Sequence, residues 1–538
     1  MLHEKYLDHL ARHFNLRSDD IEFSIKQSFY EKAIDIMMNL NIDPAISILN
    51  SLYSPAKLEK AQDPTCMLRS LILMTVLRKT SITAWVGWTR FEPIIAILIG
   101  FEPGATPGVG TYYDFMKRII DGPYRKPCQC GNRVKRSEYN AKPHKRNLKK
   151  EKDAKKNDLD PNHSQSEKLA GKLLENSEEP RPMDMHRILE DLHIHLGVIP
   201  SIQEDLISDL ENLVISGDGS ILKTAASGVG KPTCSCRSEG VYKCDHDRCY
   251  TSPTAKWCFD HHRYCYIFGD RYYHLVVTQG GHDFPLLSHM PGGNESDYTL
   301  SLTSFDRFLK AARENGLDIN VSAFCGDGHH DAQAHYQYFG EKEVIPIIPL
   351  STASRNAYPH LHDDSDIRLD MDGAPLCPAG KPMRRHCYNK KRQKHIYNCP
   401  AKRNTHRNGK SLYVFHEEEC PRRQDCDPKS SLGPYVTLSS TTDPRLFPPL
   451  PRSSQKFKDL MKQRSASERC NFINDAYGLE GSSRNADYGS IRLMLANIAH
   501  HASVRYQAAV KKSSANALAT RILESAAPRI SHEYQDSG

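Results

Sequence analysis

The sequence of 538 residues predicts an α/β protein in which a helical region precedes a larger central domain. Three observations lead to this prediction. Apolar residues recur at helical spacing before residue 120, short apolar runs typical of strands follow residue 212, and cysteine-rich stretches separate some of those runs. With 39% apolar and 25% charged residues, the chain is long enough for two or three domains with buried cores.

Residues 1–120 are predicted to form an N-terminal α-helical domain. Phe29, Ala33 and Met37 fall near helical spacing. Asp63-Pro64 is a typical start of a further helix, because an aspartate can cap the helix and proline fits its first position.

Residues 121–185 are predicted to be a basic, disordered linker. From Arg125 to Lys156 there are 13 Lys or Arg residues against three acidic ones, and too few apolar residues to form a core. Such a tract can neutralise phosphates without reading base sequence, and the alternative is a solvated linker. The residues expected to contact DNA here are Arg133, Lys135, Arg136, Lys149 and Lys150.

Three acidic residues in the central domain are candidates for a catalytic site. Two strand-like runs, 213–222 and 319–328, carry Asp218 and Asp327, each between two glycines. A third acid, Glu468, lies in a segment of helical spacing, four residues after Arg464, so that these two side chains would share a helix face.

Carboxylates from three separate elements favour Mg²⁺ or Mn²⁺. Two such ions can hold the attacking water and the leaving oxygen of a phosphodiester in line. A single Gly-Asp-Gly is more often a turn than a site, but two copies on strand-like runs, followed by a helical acid, favour a site. Glu480 and Asp331 are alternatives to Glu468 and Asp327.

The central domain is predicted to span residues 186–510. Its order of elements is three strands, a helix, two strands and a late acidic helix, which is the order of a ribonuclease H-like fold. That order places Asp218 on the first strand and Asp327 at the end of the fourth, side by side. A hairpin turn is predicted at Gly269-Asp270. The other elements are predicted as strands at 264–268, 272–278 and 344–350, and as helices at 187–196, 202–213 and 302–315.

Two cysteine-rich insertions, at about 228–262 and 352–450, are predicted to interrupt this domain, and residues 511–538 are predicted to be a C-terminal tail. Sixteen cysteines in a chain without an apparent secretory signal favour thiols or metal sites over disulfides. In the second insertion, Cys377, Cys399, Cys420 and Cys426 could form a tetrahedral Zn²⁺ site. In the first insertion the choice of ligands is open.

The order Asp218, Asp327, Glu468 resembles the DDE transposases of bacterial insertion sequences, especially the group with a Tyr-x2-Arg-x3-Glu-x6-Lys signature. Arg464 and Glu468 match that signature. Its tyrosine position is Met461 in this chain and its lysine position is Asp475. The resemblance implies that the three acids are catalytic and bind Mg²⁺ or Mn²⁺, and that Arg464 contacts DNA.

The resemblance also implies the activity and the partners. These are metal-dependent cleavage and strand transfer at the ends of an insertion sequence, with double-stranded DNA bearing terminal inverted repeats, target DNA, and a homodimer in the DNA complex. A nuclease of the same fold is one alternative. Another is a catalytically impaired or repurposed transposase that acts as a zinc- and DNA-binding protein, which Met461 and Asp475 favour.

The expected location is the bacterial cytoplasm, in association with the nucleoid. The longest apolar passages, 71–77 and 94–101, are too short to cross a membrane, so no membrane partner is expected. The first residues are not followed by the apolar region of a signal peptide.

Overall fold

The fold is described from a computed structural model of the chain. The described residues are 1–54, 61–122, 133–134, 164–260, 263–292, 295–351, 361–362, 365–370, 373–389, 391–407, 410–415, 420, 422, 426, 435–441, 444–481 and 483–533. Among the predicted DNA contacts in the basic tract, Lys135, Arg136, Lys149 and Lys150 lie outside these ranges.

The N-terminal region is helical, as predicted. Its helices are α1 His3–Asn15, α2 Ile21–Phe29, α3 Glu31–Met38, α4 Ile46–Ser51, α5 Pro64–Val76, α6 Ile82–Phe91, α7 Pro93–Ile99 and α8 Val109–Asp121. The predicted helix start is confirmed, because the Asp63 carboxylate accepts the backbone N–H of Thr65 and Pro64 occupies the first turn. Helix α5 is buried on all sides and forms the centre of this region.

The segment between the helical region and the central sheet is partly helical as well. It contains β1 Arg133–Val134, α9 Gln165–Glu175, α10 Met185–His193 and α11 Ile199–Gln203. Helix α9 corrects the prediction of a linker up to residue 185. Ser164 and Glu167 cap its first turn reciprocally, and Ala170 is buried in the core of the sheet domain. The predicted helix at 202–213 was also wrong, because α11 ends at Gln203.

The centre of the molecule is a mixed β-sheet. Its strands are β2 Leu213–Lys223, β5 Lys256–Asp260, β6 Cys265–Gln279, β7 His282–His289, β8 Val321–Cys325 and β9 Ile345–Ile347, with the two short strands β3 Lys231–Pro232 and β4 Arg248–Cys249 in the first insertion. The order across the sheet is β5 and β7 on one edge of β6, then β6, β2, β8 and β9. Strand β2 pairs antiparallel with β6 and parallel with β8, and β8 pairs parallel with β9.

The predicted hairpin at Gly269-Asp270 was wrong. Strand β6 runs through these residues without a break, and the turn lies at Gly280-Gly281, where both glycines have positive φ. Gly269 has a different role in the strand. A Cβ atom there would lie 2.3 Å from the backbone oxygen of Leu222, so the close approach of β2 requires glycine.

Helices cover both faces of the sheet. They are α12 Asp297–Glu314, α13 Gln333–Glu341, α14 Gln455–Met461, α15 Ser465–Ala476 and α16 Ala486–Glu533. Phe305 of α12 packs with Tyr273 and Phe324 on one face, and Ala466 and Cys470 of α15 pack on Val276 on the other. The sheet is therefore sandwiched between α12 and α15.

The N-terminal helices do not have a core of their own. Their buried cluster includes Ile188 and Leu192 of α10 and Ile491 and Leu495 of α16. Helix α16 is continuous through the residues predicted as a C-terminal tail from 511. The helical region therefore packs against α10 and α16, while the sheet has a separate buried cluster. Helix α16 follows α15, the helix that carries Glu468.

The second insertion contains short strands in the described part of the chain. They are β10 Leu361–His362, β11 Ser365–Arg368, β12 Arg384–Asn389, β13 Lys394–Asn398, β14 Lys402–Arg407, β15 Lys410–Phe415 and β16 Tyr435–Ser439. A small cluster of buried residues, including Leu369, Met383 and Phe447, forms its core. Arg445 anchors it to the central domain through two hydrogen bonds, of 2.8 and 2.9 Å, to Asp331.

Within the described ranges, no single helix has the length and apolar character needed to cross a membrane. Only α6 and α7 taken together, with a bend of 108° between them, meet the requirement of length and composition. Both helices contribute buried residues to the shared helical core.

Candidate active site

Asp218 lies near the middle of β2 and faces helix α15. Its neighbour across the antiparallel pair is His274 on β6. Asn471 of α15 donates from Nδ2 to Oδ2 of Asp218 over 3.3 Å, and the hydroxyl of Tyr272 donates to the other end of the same amide over 3.1 Å. The amide of Asn471 therefore holds Asp218 in a defined orientation between the sheet and α15.

Asp327 lies two residues beyond the end of β8, next to the strand that carries Asp218. Its Oδ1 lies 2.6 Å from Nδ1 of His330, and its Oδ2 lies 2.9 Å from Nδ1 of His329. The hydroxyl of Tyr273 lies 2.7 Å from Nε2 of His330. His330 therefore links Asp327 to Tyr273, with Nδ1 on the side of the carboxylate and Nε2 on the side of the phenol.

The electrostatic environment separates the two aspartates. Burial and then the nearby charge of Asp327 raise the pKa of Asp218 to about 7, and Asp297 and Glu468 add to this rise against the opposing effect of His330. Burial works in the same direction on Asp327, but hydrogen bonds and charge from His330 and His329 outweigh it and lower its pKa. Asp218 is thus the carboxylate whose negative charge most needs a cation.

Glu468 lies in the first turn of α15, one turn before Asn471. Arg464 precedes α15 directly, and its guanidinium lies 2.7 Å from Oε1 of Glu468. The predicted sharing of one helix face by Arg464 and Glu468 is confirmed. Half of the Glu468 side chain is exposed, so it can change rotamer more easily than Asp218 or Asp327.

The two alternative acids are engaged elsewhere. Asp331 forms the paired hydrogen bonds with Arg445, and its side chain is fully buried. Glu480 forms an ion pair with Arg263 at 2.5 Å, and it is not among the main groups that shift the pKa of Asp218. The geometry therefore favours Asp327 and Glu468 over these two residues.

A fourth acid, Asp297, was not predicted. It lies in the first turn of α12, 3.0 Å from Arg271, and it raises the pKa of Asp218. Its position also explains the glycines around Asp218. A Cβ at Gly219 would lie 2.1 Å from Oδ1 of Asp297, and one at Gly217 would lie 2.4 Å from the hydroxyl of Tyr273. These glycines make room for the neighbouring side chains of Asp297 and Tyr273.

The donor atoms suit a hard divalent cation, because the cluster offers carboxylate oxygens from three elements and the acids raise the pKa of Asp218. The oxygens do not form a closed cage. Among the described residues, two groups of three or more side chains have all their ligand atoms within 4.8 Å of one another, and the three acids are not one of these groups. Binding of one ion by all three acids would require their oxygen atoms to come closer together.

One of the two closed groups is Cys234, Cys236, Cys244 and His246 in the first insertion, which could bind a metal such as zinc. The other consists of His9, His13 and Glu102. In that group, Arg12 and Arg17 contact the two ring nitrogens of His13, so lone pairs that a metal would need are already engaged.

The four cysteines predicted to bind zinc in the second insertion are only partly brought together. Cys377 and Cys399 are buried, and burial, followed by the nearby Cys420 and Cys377 thiols, raises the pKa of Cys399. Within the described part of the chain these four do not form a group with all ligand atoms within 4.8 Å.

Replacing the two aspartates should change stability in opposite directions. The pKa of Asp218 is raised from 3.8 to about 7, so its ionised form is less stable in the folded protein than in the unfolded chain. The folded state therefore loses stability as pH rises through this range, by at most about 4 kcal/mol. We therefore expect Asp218→Asn to raise the midpoint of thermal unfolding at pH 8 in EDTA, with a smaller rise at pH 5.

Asp327→Asn is the matched control. The lowered pKa of Asp327 means that its carboxylate stabilises the fold above its ordinary pKa, a contribution lost as pH falls through the lowered value. This variant should lower the unfolding midpoint at pH 8. A decrease for Asp218→Asn of the same size would show that Asp218 carries no desolvation penalty.

No protein-family model matches this chain, and no curated protein matches it at a significant level. A proposal of function therefore depends on the geometry of the acids and on the sequence signature around Glu468. Of the predicted DNA contacts, Arg464 lies in the acidic site, and Arg133 lies in β1, which pairs with the first insertion.

Proposed function

We propose that this protein is a DDE-type transposase, which cleaves DNA at the ends of an insertion sequence and joins those ends to target DNA. The observation that carries the proposal is that Asp218 lies on β2 and Asp327 directly follows the adjacent parallel strand β8. The helix that carries Glu468 packs beside them, since its Asn471 donates to Asp218. The three acids span 250 positions of the sequence, and they come from a strand, from the segment that follows a second strand, and from a helix.

The strand order supports a ribonuclease H-like core. From one edge of the sheet to the other, the five strands lie in the order β7, β6, β2, β8 and β9. Counted along the chain from β2, these are the third, second, first, fourth and fifth strands. The first three are antiparallel neighbours, and the last two run parallel to β2. Asp218 on the first strand and Asp327 after the fourth are thereby adjacent at one end of the sheet.

Asp218, Asp327 and Glu468 would hold Mg²⁺ or Mn²⁺, which supplies activation of water or of a DNA 3′-hydroxyl and stabilises the departing 3′-oxygen. The protein's own residues position these carboxylates. Asn471 orients Asp218, and His330, held by Tyr273, orients Asp327. No serine or tyrosine nucleophile is needed, because water and the DNA hydroxyl attack phosphorus directly.

Contacts with DNA would come from two places. Arg464 lies beside Glu468, where a scissile phosphate would bind, and the basic tract with Arg133, Lys135 and Lys149 would contact the backbone of the same duplex. The partners would be DNA with terminal inverted repeats, target DNA and a second copy of the chain. The location would be the bacterial cytoplasm, at the nucleoid.

The test is a strand-joining assay. A DNA fragment that ends in the genomic sequence flanking the gene, cut to leave a 3′-hydroxyl, is incubated with the protein, Mg²⁺ and a supercoiled plasmid. We expect covalent joining of the fragment to the plasmid, and no joining in EDTA. Cleavage of the fragment without joining would identify a nuclease of the same fold, whereas neither reaction would contradict the proposal.

A second candidate function is a repurposed transposase that binds zinc and DNA without catalysis. Met461 favours this function, because it occupies the tyrosine position of the signature. Its side chain packs against the buried cluster of Ala323 and Ile347. Asp475 at the lysine position adds a negative charge, with a pKa raised by burial and by Glu480. Salt-sensitive DNA binding without metal-dependent cleavage would select this function.

A further inference from the structure

The first insertion contains a compact set of metal-ligand side chains apart from the acids. Sγ of Cys234 lies 3.5 Å from Sγ of Cys244, and Sγ of Cys236 lies 3.3 Å from Nδ1 of His246. All four ligand atoms lie within 4.8 Å of one another. With Zn–S of about 2.3 Å and Zn–N of about 2.0 Å, tetrahedral geometry separates ligand atoms by roughly 3.5–3.8 Å, which agrees with this cluster.

The backbone presents these ligands as two short pairs. Cys234 and Cys236 follow strand β3, and Cys244 and His246 precede strand β4. The two strands pair antiparallel. Next to the paired strands, the hydroxyl of Thr233 donates to the backbone oxygen of Asp247 over 2.6 Å. The hairpin therefore brings both pairs to the same end.

The loop between the pairs is closed by local hydrogen bonds. The backbone N–H of Val241 donates to the oxygen of Cys236 over 2.8 Å, and Gly240 occupies the left-handed region with φ of +80°. The hydroxyl of Ser235 donates to Glu239 over 2.7 Å. This turn directs Cys236 toward the other three ligands.

The chemistry of the thiols also favours a cation. None of these cysteines forms a disulfide, although two of the sulfur atoms are close. Three sulfur atoms and one imidazole nitrogen at these distances are a ligand set that structural Zn²⁺ takes in proteins.

The hairpin has a third strand, which comes from the basic tract. Strand β1 pairs antiparallel with β4, with Arg133 opposite Cys249 and Val134 opposite Arg248. Strand β4 begins two residues after the ligand His246. The part of the basic tract that the structure describes is thus joined to the central domain through the hairpin that carries the four ligands.

We propose that Cys234, Cys236, Cys244 and His246 bind one structural Zn²⁺ ion, and that this ion orders the three-stranded unit that fixes the basic tract to the central domain. A two-residue strand such as β1 has too few hydrogen bonds to stay paired by itself. Its pairing depends on a rigid β4, and the bound ion supplies that rigidity. The metal site itself does not depend on the proposed DNA chemistry.

Zinc content measures the first part of this proposal. The metal bound per chain is determined by mass spectrometry after gel filtration for the wild type and for Cys236→Ser, Cys244→Ser and the control Cys265→Ser. Cys265 is an exposed cysteine of the same region outside the cluster. We expect the first two variants to lose one equivalent of zinc and the control to lose none. Equal zinc content in all four proteins would overturn the proposal.

A spectrum excludes the trivial explanation that a variant loses metal because it misfolds. Co²⁺ exchanged into the wild type should give the visible absorption of a tetrahedral site with sulfur ligands. Cys244→His, which keeps four ligands, should shift that absorption and retain the ion. Wild-type protein that takes up Co²⁺ without tetrahedral absorption, or a Cys244→His spectrum identical to it, would contradict the assigned ligands.

Hydrogen exchange measures the second part. The amides of Lys231, Arg248, Cys249 and Val134 are compared in zinc-loaded protein and after chelation. We expect at least a tenfold increase in exchange rate at these amides on chelation, and no change at Ile215 of β2. Unchanged exchange at Val134 would refute the coupling of the ion to the basic tract, even if zinc were bound.

Discussion

Asp218→Asn is expected to reduce Mg²⁺-dependent DNA cleavage by about a thousandfold or more. The variant keeps the shape of the side chain and a hydrogen bond to Asn471, but it removes the negative charge that the cation requires. Loss of one charged metal ligand removes several kcal/mol of transition-state stabilisation, and about 4 kcal/mol corresponds to that factor. The measurement is the initial rate of cleavage of DNA that carries the flanking sequence of the gene.

The fold of this variant can be checked independently, because we expect its unfolding midpoint at pH 8 to exceed that of the wild type. Loss of cleavage together with a higher midpoint would separate catalysis from stability. Cleavage within about threefold of the wild-type rate would rule out Asp218 as a metal ligand, since an amide cannot replace a carboxylate at such a position without a large loss.

The second large effect is expected for Glu468→Gln, with Glu480→Gln as the matched control. Both glutamates follow Asp327 in the sequence, and each forms an ion pair with an arginine. Of these two glutamates, Glu468 is the one among the main groups that raise the pKa of Asp218. We expect the rate of cleavage to fall at least about a hundredfold for Glu468→Gln and to change less than twofold for Glu480→Gln.

The reverse outcome would assign the third acid to Glu480. A large loss in Glu480→Gln with normal activity in Glu468→Gln would mean that the segment after α15 moves when DNA binds, so that the pairing of Arg263 with Glu480 opens. Equal activity of both variants and the wild type would remove the third acid from the proposed site.

Much of the sheet could be predicted from the sequence, and its main error has a physical cause. The runs around Asp218 and Asp327 are apolar and end near glycines, so their strands were found within a few residues. Gly269-Asp270 has the composition of a hairpin turn, but Gly269 serves the close approach of Leu222. Local composition does not distinguish these two uses of glycine, because the second depends on a neighbouring strand.

The supporting residues of the acidic site were missed because they depend on long-range contacts. Asp297 follows Ser296 at the start of α12, and this pair of residues is typical of any helix start. His330 had a local signal, since it lies three residues after Asp327 and closes a short turn with it. Its contact with Tyr273, 57 positions away, was not visible in the sequence.

The cysteines illustrate the same limit. The sequence favoured a zinc site in the second insertion, where the four candidates are up to 49 positions apart between Cys377 and Cys426. The structure closes the group in the first insertion, where a short hairpin joins Cys234 to His246. Close spacing within one hairpin constrains ligands strongly, and spacing across several strands does not.

The central claim is that Asp218, Asp327 and Glu468 meet around divalent cations, and metal-directed cleavage of the protein chain tests it most directly. Fe²⁺ bound in place of Mg²⁺, with ascorbate and peroxide, breaks the backbone next to the metal. The account predicts breaks near all three residues, suppressed together by excess Mg²⁺ and lost in Asp218→Asn. Breaks confined to other segments, or breaks at these three that Mg²⁺ does not suppress, would contradict it.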